Sequence, residues 1–529
     1  MADIQLTKEN FIEQVTRYGF FSEIIPECFD TDKLVDKVMD IISFVKIDIK
    51  HKPDNEIWVT APVSLSTYKS AINRRIISVP NPEAFLRLVK FMAVNWNEIK
   101  EVSKSESSLS SITCMQDYSA TTDIEEINCP LLKEKRHRKS DFIKGIESCI
   151  SVSIGHQFRL KLDVANCYNS IYTHSVAWGI CGKEKVKQYM QNKKTMPIPD
   201  KYDLGDGLDI FMRFQKNNET NGIITGPFTS RIFSEILFSA IDKIMKDKGF
   251  VFRRYVDDYK FYFRSREKAE ESVPKIERIL NEYNLNLNLS KTTIEHFPYD
   301  NYSDMKEIYN TAFSKKKIIG VLNEASNLYA KGEKGAYKYA LKFLKNKKLE
   351  TTKFDVIIPL LINIMLLDPR YGKYVIGFME SNREELNIAK LEKVVNEELG
   401  KNLEQELQQE ALLFLHMIKR VKLSIYGTNV IKILKNYEDF SAIIALDIWK
   451  RENGFVKRTR TEAVEINRQI KNLAKKLENE TYCGEHWLLL YEVNRHKLLS
   501  NKKYGYKEPK MNDFFKLLCQ NNISFYSNE

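Results

Sequence analysis

Two adjacent carboxylates, Asp257 and Asp258, interrupt an otherwise apolar stretch. Phe250, Val251 and Phe252 come before them. After them, Tyr259, Phe261 and Phe263 alternate with Lys260, Tyr262 and Arg264. An aromatic-rich period of two predicts strands on both sides, with the Asp pair at the tip of a hairpin. Neighbouring carboxylates repel unless a cation lies between or beside them. A divalent ion held by oxygen supplies one, and Mg²⁺ favours one or two carboxylates together with substrate phosphates. An isolated Asp-Asp reads as a solvated turn, so a third carboxylate decides the matter. Upstream, Phe158, Leu160 and Leu162 alternate with Arg159, Lys161 and Asp163. That pattern predicts a half-buried strand ending in Asp163 on its polar face. If the strands pair, three carboxylates meet, a set suited to two metal ions that clamp the attacking and leaving oxygens of a phosphoryl or nucleotidyl transfer.

Four stretches carry a resemblance: residues 74–81 (RRIISVPN), 160–175 (LKLDVANCYNSIYTHS), 219–235 (ETNGIITGPFTSRIFSE) and 254–263 (RYVDDYKFYF). Together, over residues 70–300, they resemble the fingers and palm of a reverse transcriptase, and more narrowly the bacterial abortive-infection enzymes of the AbiK-like, prophage-encoded group. The resemblance implies that Asp163, Asp257, Asp258 and the backbone carbonyl of Val164 hold two Mg²⁺ ions, with Mn²⁺ as a substitute. It implies that Lys69, Arg74 and Arg75 grip the triphosphate of an incoming dNTP; arginine suits bidentate phosphate contact. Tyr168 would gate against a ribose 2′-hydroxyl, Thr225 and Gly226 would border the nucleotide, and Lys291 would protonate the leaving pyrophosphate. No chemical role is assigned to His174, for which capping or a buried hydrogen bond is the expectation. Most reverse transcriptases carry Gln at the place of Thr225, and Ser-Pro where this chain has Ser230-Arg231. The abortive-infection group shares both departures, and the missing Gln speaks against ordinary template copying.

The resemblance further implies protein-primed, untemplated DNA synthesis in defence against phage. The product would be single-stranded DNA attached to a tyrosine of the enzyme; with 26 tyrosines, the priming residue is unassigned. It also implies a homo-oligomer, a trimer or a hexamer. Two alternatives stand beside this reading: a templated, RNA-dependent DNA polymerase of the retron or intron type, and a non-catalytic nucleic-acid-binding scaffold with a vestigial palm.

The elements that must position these residues divide the sequence in three. A chain of 529 residues is too long for one core. Residues 1–155 mix helical spacing with loops and form an N-terminal segment and fingers; residues 103–111 (SKSESSLSS) read as a loop or lid. Residues 156–310 form the palm. There, Gly222 to Pro227 make a turn leading into a helix whose apolar residues recur from 228 to 244. In residues 311–529 Pro thins out and apolar pairs recur at helical spacing, predicting about ten helices in an all-α domain that resembles the HEAT-like replacement for a thumb. The fold class expected is α+β: reverse-transcriptase fingers and palm, then helical repeats.

A net charge of +11 mildly favours a polyanionic partner. Basic runs at 133–139, 315–317 and 457–460 are either stretches of a nucleic-acid path or solvated faces. The first residues lack a signal-peptide pattern, and the longest apolar run, residues 356–367, is too short to span a bilayer and contains Pro359. A cytoplasmic protein without membrane contact is the expectation. The eight cysteines are scattered, with no Cys-x-x-Cys pair, and are expected to be free thiols.

Overall fold

The structure is a computed structural model, and it describes residues 3–47, 59–70, 73–110, 112–116, 141–299, 305–451, 453–500 and 503–527. The basic run at 133–139 lies outside them. The chain forms two compact units. The first comprises Met1–Ser22, Thr31–Pro62 and Ser78–Tyr302; the second comprises Glu23–Asp30, Val63–Ile77 and Ser303–Glu529.

The first unit is built round a four-stranded antiparallel sheet in the order Phe252–Tyr255, Asp258–Phe263, Phe158–Asp163, Thr293–His296. Aromatic and β-branched residues favour such pleated, half-covered surfaces. On one face, Leu160, Leu162, Tyr259 and Phe261 are buried. The helices Phe228–Asp247 and Arg266–Asn281 pack against each other, and the second also packs on the central strands. The helix Phe228–Asp247 begins directly after Pro227, which is its N-cap residue, and buries the apolar positions that the sequence spaced for it.

The other face is less exposed than the alternation implies. Arg159 is buried, held by Glu295 at 2.6 Å and by the carbonyl of Tyr299, and Tyr262 is buried on the same side. A buried guanidinium needs such partners, because an unpaired charge is costly away from water. Period two identified the strand correctly, but it cannot report that a neighbouring carboxylate covers the polar side.

Residues 103–110 do not hang free as a lid. The amide of Arg254 donates to Ser107 O, and Leu109 N donates to Arg254 O, so the segment pairs along the outer strand of the sheet. The hydroxyl of Ser105 is bound to Asp242. Residues 285–291 alternate without forming a strand. One bridge joins Leu287 to Val164, and the chain then turns into a short 3₁₀ segment, Leu289–Lys291.

The second unit is helical and carries a β-hairpin, Val63–Tyr68 with Arg74–Val79, whose last two residues belong to the first unit. From Met305–Phe313 onward most of its helices pack on the next but one, and several also on the next. For example, Ala336–Leu344 touches Ile318–Ala330, Met305–Phe313 and Gly372–Ser381, while Gln408–Val421 touches Ile388–Glu404, Gly372–Ser381 and Asp439–Arg451. Stacking two rows of amphipathic helices buries a continuous core that no single pair could enclose. The fold is therefore α+β, a sheet-based polymerase-like unit with a helical repeat region, as the sequence indicated. The N-terminal residues 23–30 join the end of the chain: Ser527 N donates to Cys28 O, and Asp30 N donates to Phe525 O. Among the described residues no helix is long and apolar enough to cross a membrane, and Cys28, Cys149, Cys167, Cys181, Cys483 and Cys519 are free thiols.

Candidate active site

Strand pairing brings two of the three predicted carboxylates face to face. Asp163, at the end of the central strand, is the register partner of Asp258, at the start of the next. Tyr255 also pairs with Asp258, so the strands are joined by a two-residue loop, Val256-Asp257. Tight hairpin loops of this length require positive φ at one or both central residues. Val256 has φ +57, an outlier for a β-branched side chain. Strain of this kind costs on the order of 1–3 kcal/mol and persists only where surrounding contacts hold it.

The holding contact comes from Arg254. Its Nη1 donates to the carbonyl of Val256 at 2.9 Å. The same guanidinium is completely buried and is clamped by Glu235 at 2.9 Å and Asp242 at 2.7 Å. These two acids are two helical turns apart on one face of Phe228–Asp247, which is why a single side chain can reach both. Tyr259 adds its hydroxyl to Asp242 at 3.2 Å. Burial works against the charge of the arginine; the Asp242 and Glu235 carboxylates outweigh it and hold the group well above its ordinary value.

The carboxylate pair carries excess negative charge. Burial, then the charges of Asp257 and Asp163, push the Asp258 carboxyl up to about 6, and it shares a hydrogen bond with Asp163. Lys291 opposes that shift and lies 3.0 Å from Asp163 Oδ2. Asn288 fixes the same residue twice, its side chain donating to Oδ2 at 3.0 Å and its amide to the backbone carbonyl at 2.8 Å. Among the described residues, no three His, Cys, Asp or Glu side chains are gathered closely enough to enclose a metal ion. The ammonium of Lys291 supplies the positive charge beside Asp163.

Val164 is buried directly after Asp163. Cys167 lies under the cluster; burial, then Asp257, Asp163 and Asp258, raise its thiol well above the ordinary range. Tyr168 is half-buried and its hydroxyl, bonded to Ser234, is pushed up to about 12 by burial, with Arg231 and Asp257 among its charged neighbours. Its carbonyl accepts from Ile223 N, which ties the turn at 222–227 to the loop after the central strand. Thr225 and Gly226 belong to that turn: Thr225 O accepts from Ser78 N at 2.7 Å. Gly226 has φ +138, and a Cβ there would come within 3.0 Å of Ser78 O. His174 pairs with Asp209 at 2.9 Å, but it is partly exposed and its side chain does not cap the helix Ser175–Cys181, so neither the cap nor the buried hydrogen bond expected for it is found.

Asp163, Val164, Tyr168, Thr225, Gly226, Asp257, Asp258 and Lys291 thus lie in the first unit, while Lys69, Arg74 and Arg75 lie on the hairpin of the second. Lys69 and Arg75 are exposed. Arg74 is engaged: its guanidinium spans Glu410 at 2.6 and 2.9 Å and also donates to Ser66. Gln408 and Gln409 accept from the amides of Ser66 and Tyr68. The first turn of Gln408–Val421 therefore holds the hairpin by three successive side chains. In two further basic runs some residues meet partners. Lys316 meets Glu324 and Lys317 meets Glu350; Lys457 is bound to Glu392, and Arg458 stacks over Trp449 at 4.7 Å.

Arg254, Glu235, Asp242, Cys167 and Asn288 were not singled out from sequence. Arg254 carried a signal, a charged residue in an apolar strand immediately before the tight turn. The acids were unreadable, since their significance depends on which strand their helix covers.

Comparison with known proteins gives one family: residues 112–344 match the model described as reverse transcriptase (RNA-dependent DNA polymerase). No curated protein matches the chain. Among solved structures it is similar to apo telomerase from Candida tropicalis at 13% identity and TM-score 0.33, covering 87% of this chain and 76% of that one. It is also similar to a form of that telomerase truncated from the C-terminal domain, at 15% identity and TM-score 0.27, covering 46% and 51%. Telomerase from Candida albicans in complex with a TWJ fragment of telomeric RNA gives 15% and 0.27, covering 74% and 65%.

Proposed function

We propose that this chain, which carries a reverse-transcriptase domain, is a DNA polymerase that adds dNTPs to a growing strand by metal-assisted nucleotidyl transfer. One observation carries the reading: the cross-strand pair Asp163 and Asp258, with Asp257 in the adjoining turn, forms a partly buried all-oxygen set in which burial, then the charges of Asp257 and Asp163, raise Asp258. Hard divalent cations of the Mg²⁺ type match such donors. When bound, they would lower the pKa of the attacking hydroxyl and stabilise the pyrophosphate. Asp163, Asp257, Asp258 and the Val164 carbonyl would hold them. Lys291 would leave Asp163 and meet the leaving group, Tyr168 would exclude a 2′-hydroxyl, and Thr225-Gly226 would border the base. Lys69, Arg74 and Arg75 would bind the triphosphate, which requires Arg74 to exchange Glu410 for phosphate.

The finer reading follows the motif resemblance. We infer synthesis without a template, primed by a tyrosine of the protein, in an oligomer acting in abortive-infection defence. Thr225 in place of Gln supports it. Templated copying of RNA is the second reading, favoured by the description of the matched family model.

The test is incubation of the purified protein with Mg²⁺ and labelled dNTPs, with and without a primed RNA template, beside Asp257→Asn. Label that migrates with protein, shifts on proteolysis and disappears in the variant supports protein-primed synthesis. Incorporation only on the primed template establishes the second reading. Incorporation that survives Asp257→Asn sinks the assignment of the site; the expected loss is at least about 10³-fold, since the metal-held charge stabilises the transition state by several kcal/mol.

A further inference from the structure

We propose that the helix Ala336–Leu344, with the start of Gly372–Ser381, forms a binding surface for single-stranded DNA. The proposal deepens the reading above, since single-stranded DNA is the product that reading assigns.

The charge is local and one-sided. Residues 331–348 hold seven lysines and a single carboxylate, Glu333. Lys338, Lys342 and Lys345 are spaced by four and three residues and share one face of the helix, all exposed. At 1.5 Å per residue they form a row roughly 10 Å long. The opposite face is fixed, because Ala336, Ala340, Leu341 and Leu344 are buried against neighbouring helices. The row is therefore rigidly mounted.

Aromatic rings lie beside the charges. Tyr339, Phe343 and Tyr374 are half-exposed. Tyr339 is stacked on Tyr309 with centroids 4.6 Å apart, which holds its ring in place. Lys342 lies 5.9 Å and Lys373 5.5 Å from the centre of Tyr374, and Lys347 lies 5.3 Å from that of Phe343. Lysines along a backbone path and aromatic faces for unstacked bases are the two components of sequence-tolerant single-strand binding. A duplex keeps its bases stacked inside and has no use for the rings.

The experiment measures binding of a labelled oligothymidylate to the full chain by fluorescence anisotropy, in EDTA and without dNTPs, across a salt series. The triple variant Lys338→Glu, Lys342→Glu, Lys345→Glu is compared with Lys185→Glu, Lys187→Glu, Lys193→Glu, an equal charge change at exposed lysines of the first unit. The first triple is expected to weaken binding by at least about tenfold and to flatten the slope of log K against log salt by roughly 2, about 0.7 for each phosphate that is no longer neutralised. The control triple is expected to stay within about twofold of the parent at moderate salt, where charges that do not touch the strand are screened. Tyr374→Leu keeps the packing but removes the ring. It is expected to weaken binding on the order of tenfold with the slope unchanged, as the removal of base stacking requires. Melting curves verify that each variant is folded. Equal weakening by both triples would overturn the proposal in favour of net charge alone. Parent-like binding by the first triple and by Tyr374→Leu, or equal competition by duplex DNA, would also overturn it. Synthesis is read separately by Asp257-dependent incorporation, so failure of the polymerase reading leaves this binding result intact and the converse also holds.

Discussion

At the scale of single residues, the site is governed by charges that must be compensated where they sit. Arg254 is the centre of one such set. Replacing it by Met would leave Glu235 and Asp242 buried without their cation, and removal of one partner from a buried pair costs about 3–5 kcal/mol. Arg254→Met is therefore expected to destabilise the first unit by that order, measured by denaturant unfolding. Arg254→Lys keeps the charge but loses the planar fork that spans two carboxylates and Val256 O. That variant is expected to fold and to incorporate dNTPs about 10–100-fold more slowly, the scale expected when a reacting group shifts by about an ångström. Unchanged incorporation in Arg254→Lys would show that the turn needs no brace. Arg254 was legible as a charge beside the Asp pair, but its partners were not, because Glu235 and Asp242 look like ordinary helix acids until the helix is laid on the sheet.

At the scale of elements, turns and caps decide where the side chains point. Gly222 has φ +76, and a Cβ there would come within 2.9 Å of the carbonyl oxygen of Asn169. Gly222→Ala is expected to cost roughly 1–3 kcal/mol, since it adds left-handed strain to a backbone clash. A melting shift would measure it, and a neutral result would mean that residues 168–173 yield easily. In the second unit, Arg74 is held to the first turn of Gln408–Val421 by Glu410. Glu410→Gln removes the charge while keeping the shape. Faster amide exchange is expected at Ser66 and Tyr68, whose NH groups bond to the neighbouring Gln408 and Gln409. Exchange as slow as in the parent would show that the glutamines alone hold the hairpin. The helix after Pro227 and the strands flanking the Asp pair were readable from period alone. The pairing of residues 103–110 with the outer strand was not, because its bonds come from the backbone.

At the scale of the whole molecule, the helical unit carries a pH dependence of its own. His416 is buried, its Nδ1 has no hydrogen-bond partner among the described residues, and burial, then Arg420 and Lys419, lower its pKa from 6.5 to about 4. Between these values the unfolded chain takes up a proton that the folded chain refuses. The stability contribution is thus fully present above about 7 and lost as pH falls towards 4, with a loss of about 2 kcal/mol by pH 5. The midpoint of denaturant unfolding followed from pH 7.5 to 5 is expected to fall for the parent and to fall less steeply for His416→Leu. Equal slopes would place the acid sensitivity in groups other than His416.

The sequence by itself determined the strands, the hairpin with its two carboxylates, the glycine turn and the long helical region. These are local matters of side-chain period, turn chemistry and propensity, which a few neighbouring residues settle. Only the tertiary structure decided that Asp163 faces Asp258, that Lys291 and Asn288 fix Asp163, and that Arg254 is clamped by a helix. It also decided that Arg74 is bound to Glu410, which follows it by several hundred residues. Such contacts depend on which distant surfaces become neighbours when apolar faces are buried together, and a charge shows its role only once its partner is beside it.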